Sequence, residues 1–418
     1  MKTPTTLHRH GISRWQALGC SVAVLGLLGA PMLLDQGHAL TLLSQMCAMA
    51  VLALSYNLLL GQTGMLSFGH AVYSGLGGFF AVHALNLASG GAFALPVTLV
   101  PLVGGLAGAM FGVLFGWLTT ARGGTPFAMI SLGIGELVYA VALMFPGFFG
   151  GEAGVSTNRV VGEPVLGITY GPDIEVYYLI AGWTLLSTIA MYGFTRTPLG
   201  LVANAVRDNA QRVGFIGYDA RRVRFLVLVA SAFFAGIAGA LAAINVEIAS
   251  VENLGALRSG YVLLAAVIGG TGFFFGPVLG AVTVTLFSMA LSQYTSAWQL
   301  YLGLVFAVIV LFAPGGLAGL GMRQWMRVSC YPLRVWAPSL LRRLGSLVLI
   351  VAGAVVLIEM AYLLNYDQTG NKVLHAWGLV LEASAWQNWA VCLAAIAAGI
   401  AALATVGHVK PAEVRSEP

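Results

Sequence analysis

The absence of charged side chains over long stretches constrains the fold of this sequence more than any motif does. Between Asp35 and Arg122 there is no Asp, Glu, Lys or Arg. A helix needs about 20 apolar residues to cross the hydrocarbon core of a bilayer, so this stretch alone can supply several crossings. Over the 418 residues, 59% are hydrophobic and 8% are charged, against about 25% charged in ordinary globular domains. The composition excludes a soluble enzyme, a nucleic-acid-binding protein and a disordered chain, and it predicts an all-α polytopic membrane protein.

Apolar windows of this length predict the transmembrane spans. They lie at residues 16–34, 39–60, 64–85, 92–118, 126–145, 177–194, 225–246, 259–270, 277–292, 298–313, 345–364 and 389–407. The first is longer than the apolar run of about 7–15 residues in a cleaved signal peptide, so we expect an uncleaved helix there. Two interpretations of 259–292 are open, one long helix or a hairpin broken at its glycines.

The distribution of Lys and Arg predicts the orientation, because these residues stay on the cytoplasmic side near span ends. If 259–292 crosses twice, 17 of the 20 basic residues can be cytoplasmic. We therefore expect both termini in the cytoplasm of a bacterial cell and the spans in its inner membrane. The expected organisation is a cytoplasmic N-terminus 1–15, a transmembrane domain 16–320 of about ten helices with a cytoplasmic loop 195–224, a basic cytoplasmic linker 321–344, an additional helix pair 345–407 and a cytoplasmic tail 408–418.

Polar residues inside apolar spans are candidates for lining a translocation path. They are Asn57, Ser67, His70 and Glu136. An ionised carboxylate facing lipid costs roughly 2.5–3.5 kcal/mol, so such groups face a protein interior or a water path. Glycine-rich breaks at 61–70 and 269–277 suggest irregular backbone, which at membrane depth must be buried in protein or line a cavity. Plain hydrogen bonds between helices, and breaks that are simple surface loops, are the alternatives.

Glycines repeat at four-residue steps along one predicted span. They are Gly104, Gly108, Gly112 and Gly116. Glycines with this spacing lie on one face of a helix and let a neighbouring backbone approach closely. They predict a helix-packing face.

Residues 197–214 have the pattern of a short amphipathic helix within the loop 195–224. Thr197 can cap the first turn, Pro198 suits the first helical position, and Gly214 can end the helix. Apolar residues recur at three- and four-residue steps: Leu199, Val202, Val206, Ala210 and Val213. Such an apolar stripe can lie on anionic lipid headgroups or enter a groove on a soluble partner.

Chemistry-bearing motifs are missing from the sequence. It contains no Gly-x-x-x-x-Gly-Lys-Ser/Thr phosphate loop, no Cys/His cluster with ligand spacing, and no nucleophile–base pair at useful spacing. We therefore expect no catalytic residue, no metal site and no cofactor in this chain.

Five segments follow one another in a fixed order. They are 55–71 with Asn57-Leu58, Gly61, Gly64, Ser67 and Gly69-His70-Ala71; 197–217 with Thr197-Pro198, Gly200, Arg207, Asn209 and Gly214; 231–241; 269–280; and 312–317 with Pro314-Gly315-Gly316-Leu317. Each segment is weak evidence alone, but together they resemble the branched-chain amino acid ABC importer permeases of the LivM type.

The resemblance implies a set of partners. It implies a second permease subunit, two cytoplasmic ATPase subunits that bind ATP and Mg²⁺, a periplasmic solute-binding protein and membrane lipids. Helix 197–214 would be the coupling helix that docks on an ATPase. Its expected coupling residues are Val202, Val206, Arg207, Asp208, Asn209, Arg212 and Gly214. The solute would be a branched-chain amino acid or a related small solute.

Two other functions are possible on the sequence alone. An ion-coupled secondary transporter of small organic solutes is the alternative, motivated by the broken segments and Glu136. A membrane-embedded enzyme is poorly supported, since no catalytic cluster appears. The chain also departs from the family after residue 320, where it continues through an arginine-rich stretch and two further spans.

Overall fold

A computed structural model describes residues 26–27, 29, 31, 37–91, 95–160, 169–330, 333–366, 373–376, 379–382 and 385–405. The expected N-terminus 1–15, most of the span 16–34 and the tail 408–418 lie outside the described residues. The described chain forms two compact units. The first unit consists of residues up to Leu291 with Leu302–Gly319, and the second consists of Ser292–Tyr301 with residues from Leu320 onward.

Helices make up most of the described chain. They are α1 Gly37–Thr63, α2 Ala71–Ser89, α3 Val100–Thr119, α4 Thr125–Met144, α5 Pro146–Phe149, α6 Asp173–Thr195, α7 Pro198–Phe215, α8 Ala220–Val246, α9 Ala256–Gly269, α10 Gly276–Thr285, α11 Trp298–Phe312, α12 Gly316–Cys330, α13 Leu333–Tyr366 and α14 Trp386–Thr405. Eight described helices are long and apolar enough to cross a membrane, or nine if the bent pair α11 and α12 forms one span. The prediction of an all-α polytopic membrane protein is confirmed.

Helix α8 packs against α3 through small residues. All four glycines of the four-residue series face α8: Gly104, Gly108, Gly112 and Gly116. A Cβ atom on Gly104 would lie 2.7 Å from the carbonyl oxygen of Gly236, and one on Gly112 would lie 2.7 Å from Cβ of Ala232. Close backbone approach of this kind maximises van der Waals contact, which replaces the hydrophobic effect as the driving force inside lipid.

Helix α2 approaches the other side of α8 just as closely. A Cβ atom on Gly239 would collide with the backbone carbonyl of Ser74, and one on Gly77 would lie 2.5 Å from Cα of Gly236. Gly236 therefore lies between two neighbouring backbones, those of α2 and α3. These contacts make α8 the centre of the first unit.

The stretch 259–292, for which two interpretations were open, is a hairpin. Helices α9 and α10 pack against each other, and the backbone of Gly280 lies against the carbonyl of Ala265. Gly270 in the connection has φ +106, a conformation that glycine adopts without steric cost. Helix α9 has 14 residues, fewer than the roughly 20 that a full crossing needs.

Two short antiparallel ribbons were not expected from the sequence. Strands β1 (Val155–Ser156) and β2 (Ile248–Ala249) join the loops after α5 and α8. Strands β3 (Val373–Ala376) and β4 (Leu379–Glu382) pair in the second unit.

In the second unit, the predicted additional helix pair corresponds to α13 and α14, which pack together. Val356, Met360 and Cys392 form their buried cluster. Tyr301 donates a hydrogen bond to Oε1 of Glu359 at 2.8 Å. The segment 321–344, predicted as a basic linker, is largely helical, because α12 continues to Cys330 and α13 begins at Leu333.

Candidate functional site

The break between α1 and α2 places His70 in the protein interior. His70 has no exposed surface, and its ring makes edge contacts with the rings of Tyr56 and Tyr73. Its Nε2 lies 3.0 Å from Oγ of Ser55. The Ser55 hydroxyl already donates to the Leu52 carbonyl, so Nε2 is the donor to Ser55. His70 is thus packed on all sides and does not face an open path in this structure.

Two other candidates from the sequence lie close to the same break. Ser67 and Asn57 are both buried. The backbone carbonyl of Ser67 accepts a hydrogen bond of 3.0 Å from the Tyr56 hydroxyl, while Oδ1 of Asn57 has no hydrogen-bond partner. Asn57, Ser67 and His70 therefore belong to one packed polar region around residues 55–73.

Serines from distant helices satisfy the open backbone of this break. The N–H of Phe68 donates to Oγ of Ser131 in α4 at 3.1 Å, and the N–H of Ala71 donates to Oγ of Ser259 in α9 at 3.0 Å. Backbone groups without a helical partner need such donors or acceptors inside a membrane protein. Sequence reasoning missed both serines, although an isolated serine in an apolar helix was the available signal.

Glu136, the fourth candidate, lies on an exposed surface rather than in the protein interior. It sits mid-way along α4 and is exposed, as are its neighbours Leu132, Gly133 and Leu137. An ionised carboxylate on a lipid-facing surface is costly. The Glu136 face of α4 therefore requires either water or a second protein against it.

The amphipathic segment forms α7, with a break in the middle. The Thr197 side chain accepts a hydrogen bond from the N–H of Gly200, which confirms the expected cap. Asn209 leaves helical geometry at φ −162 and ψ 101, and its side-chain oxygen accepts from the N–H groups of Gln211 and Arg212. Asn209 thus caps a second short helical segment, since this is the bonding pattern of an N-cap residue.

The expected end of this helix at Gly214 is wrong. Gly214 lies inside α7, which continues to Phe215, and the chain turns at Gly217 with φ +90. Gly217 is the glycine that the turn requires, because a positive φ carries little cost only for a residue without Cβ.

The apolar stripe of α7, expected to contact lipid headgroups or a partner, packs within this chain instead. Val206 and Val213 are buried against Val223 and Val227 of α8, in this chain's own core. An amphipathic pattern indicates that one face of a helix is covered, but not what covers it. Here α8 covers the apolar face of α7. Val202 is partly buried in the same cluster.

The surface that α7 leaves free lies on its other side and at its end. The exposed residues there are Leu201, Arg207, Asp208, Asn209, Gln211, Arg212, Gly214, Phe215, Ile216 and Tyr218. Phe215 is 90% exposed and Ile216 is 71% exposed. Large apolar side chains this exposed beside charged ones are typical of a protein-docking surface.

Helix α7 is hydrogen-bonded to the last turn of α1, next to the break between α1 and α2. The Arg207 guanidinium donates to the carbonyl of Gly61, and the Asn204 amide donates to Oε1 of Gln62 at 2.7 Å. Gly64, with φ +69, lies against the Arg207 side chain. A displacement of α7 therefore acts directly on the segment that contains Ser67 and His70.

The part of this chain that matches known proteins lies in the helical bundle. Residues 38–314 match the family model described as branched-chain amino acid transport system / permease component. The chain is 28% identical over 293 residues to the high-affinity branched-chain amino acid transport system permease protein LivM of Escherichia coli K12, covering 64% of this chain and 67% of that protein. It is 28% identical over 296 residues to the LivM protein of Salmonella typhimurium LT2, with the same shares covered. No solved structure matches the chain.

The family match begins at the start of α1 and ends in the turn after α11, so it contains α7, the break after α1 and the Glu136 face. It leaves α12, α13 and α14 uncovered. The match spans about two thirds of the sequence and rests on the same helices that carry the geometry described above. This chain belongs to the family of branched-chain amino acid transport permeases.

Proposed function

We propose that this chain is the transmembrane permease subunit of an ATP-driven ABC importer for branched-chain amino acids or related small solutes. The observation that carries the proposal is the connection of α7. This helix exposes Phe215 and Ile216 at its end, while Arg207 bonds the last turn of α1 next to the break. A partner that moves the exposed end would move the break as well.

The proposed partner at α7 is a cytoplasmic ATPase subunit, which binds ATP with Mg²⁺. This side of the bundle is cytoplasmic under the positive-inside rule, because six arginines lie in α7 or at the adjoining ends of α6 and α8: Arg196, Arg207, Arg212, Arg221, Arg222 and Arg224. The docking residues would be Arg207, Asp208 and Arg212 together with Phe215, rather than the buried Val206. No covalent chemistry is proposed for this chain.

The second permease subunit would cover the face of α4 that carries Glu136. This face is apolar apart from the carboxylate, and it is mostly exposed in the single chain. A translocation path between two such subunits would supply the water or the polar partner that Glu136 needs. A periplasmic binding protein would deliver solute at the opposite end from α7, and the inner membrane of a bacterium is the proposed location.

Co-purification tests the ATPase contact. We expect Phe215→Glu to lose the co-purified ATP-hydrolysing protein, because a charged side chain enters an apolar contact. Tyr294→Glu is the matched control, since Tyr294 is 87% exposed and lies outside α7. Equal ATPase recovery with both variants would contradict the proposed docking surface.

Uptake under separate energy sources tests the driving force. We expect uptake of labelled leucine in cells to stop on ATP depletion and to survive collapse of the ion gradients while ATP is maintained. The opposite result would favour the ion-coupled transporter.

A further inference from the structure

A partly open cavity of about 230 Å³ lies between α1, α2, α8 and the chain leading into α9. Its walls include the small residues Gly78 and Gly239. Its polar lining includes Gln45, Asn253 and Arg258. The cavity thus combines small and apolar walls with several polar groups.

The cavity lies toward the end of the bundle opposite to α7. Its α1 lining runs from Gln45 to Leu52, whereas α7 bonds α1 at Gly61. At 1.5 Å per residue, Gln45 is about 24 Å from Gly61 along the helix. Strand β2 also lines the cavity. With α7 on the cytoplasmic side, the cavity belongs to the outer half of the protein.

Arg258 is the one charged side chain among the described residues that line this cavity. It makes no hydrogen bond and no ion pair with any described residue, and the nearby ionisable group is the phenol of Tyr261. A partly buried cation without a counter-ion is unfavourable. The positive-inside rule also disfavours an arginine at this end of the bundle, so its presence there requires another reason.

Three acidic groups at this end of the bundle are committed elsewhere, and neither Glu152 nor Glu252 forms an ion pair with Arg258 among the described residues. Arg159 binds Asp173 at 2.7 Å and Glu247 at 3.4 Å. Glu175 accepts hydrogen bonds from the backbone N–H groups of Thr169 and Tyr170. Within the described chain, none of these carboxylates therefore pairs with Arg258.

We propose that Arg258 binds the carboxylate of the transported solute in this cavity, before or during its passage. This inference rests on the proposed transport function and names the solute as a small carboxylate with an apolar side chain. A guanidinium pairs with a carboxylate through two parallel hydrogen bonds, which makes arginine suited to this recognition. The small and apolar walls, with Ala48 and Met49 among them, suit an aliphatic side chain.

The test measures initial uptake of labelled leucine in cells that depend on this chain, with uptake normalised to the amount of chain that co-purifies with the ATPase. We expect Arg258→Gln to reduce uptake on the order of tenfold or more, because the charge that binds the carboxylate is removed. Arg258→Lys should retain more uptake than Arg258→Gln, since the positive charge is kept. Wild-type uptake by Arg258→Gln would overturn the inference.

A second pair of variants avoids altering Arg258. Gln45→Glu places a carboxylate in the cavity, where it competes with the solute for Arg258, and Gln45→Ala is its uncharged control. We expect uptake to fall more with Gln45→Glu than with Gln45→Ala, because only the introduced carboxylate pairs with Arg258. Equal uptake by these two variants would also overturn the inference.

Failure of this inference is distinguishable from failure of the proposed importer. If wild-type uptake is independent of ATP, the importer proposal fails, while the ranking of the Arg258 and Gln45 variants still tests the carboxylate site. If uptake is ATP-driven and indifferent to these variants, only the carboxylate site fails.

Discussion

Helices α2 and α4 are nearly equal in length, yet they occupy opposite environments. In α2, 13 of the 19 residues are buried, whereas in α4 only six of the 20 are. The more buried helix is the less apolar of the two. Hydropathy therefore reports suitability for the membrane as a whole, but not whether a helix faces protein or lipid.

Residue size explains this difference better than polarity does. The buried α2 presents glycines to α8, as at Gly77, and small residues permit the close packing that holds membrane helices together. The exposed α4 has glycines too, but Gly133 has open space around it. The comparison predicts that similar substitutions have different effects on the two sides of the bundle.

The largest effect is expected where backbones touch. Gly239→Ala should destabilise the chain by roughly 3 kcal/mol or more, because the added Cβ overlaps the carbonyl of Ser74 and neither backbone can move freely. Thermal unfolding of the purified chain in detergent measures the loss. Gly133→Ala is the matched control, expected to be neutral or slightly stabilising, since a helix favours Ala over Gly by roughly 0.5–1 kcal/mol. Similar losses in both variants would refute the distinction between the two faces.

A smaller loss is expected at His70. His70→Ala removes a fully buried ring from its contacts with Tyr56 and Tyr73, and it also removes the hydrogen bond to Ser55. A cavity of this kind costs about 2–4 kcal/mol, again measured by unfolding in detergent. If His70 instead lined an open path, the variant would keep its stability and lose uptake alone.

A still smaller loss is expected from the serines that support the break. Ser131→Ala leaves the N–H of Phe68 without its partner, and an unsatisfied buried donor costs about 1–3 kcal/mol. Ser259→Ala has the same effect on the N–H of Ala71. Leu132→Ala, on the exposed side of α4, is the control and should change the unfolding midpoint little. Comparable midpoints for Ser131→Ala and Leu132→Ala would show that water or another group replaces the serine.

Much of the fold could be predicted from the sequence, because a bilayer demands long apolar helices and leaves few other solutions. The cap at Thr197 and the glycine face of α3 follow from local rules of the same kind. The sequence did not decide between one long helix and the hairpin of α9 and α10, since a run of glycines fits a bend in one helix as well as a turn between two.

The candidate site was less predictable, because it depends on which surfaces meet. An apolar stripe on α7 is equally suited to a partner and to the chain's own α8, and only the tertiary structure shows that Val206 lies against α8. Polarity within a span singled out His70 and Glu136 together, although one is sealed and the other is exposed. Arg258 was not predicted as a site residue, since an arginine near a helix end is common. Only the structure shows that it lacks a counter-ion among the described residues.

The smallest effect on stability is expected at Glu136, and this variant decides what the exposed face of α4 is for. Glu136→Gln should leave the unfolding midpoint of the isolated chain unchanged within about 0.5 kcal/mol, as for most exposed positions. Leucine uptake should nevertheless fall, because the carboxylate would face the path or the second permease subunit in the assembled importer. Glu136→Leu separates this from a lipid-facing role. If the face only contacts lipid, Leu removes a costly group, so stability rises and uptake is kept. If the face lines the path or contacts the second permease subunit, both variants lose uptake while the single chain stays folded. In that case the residues of α2 stabilise the protein, whereas the exposed residues of α4 serve transport.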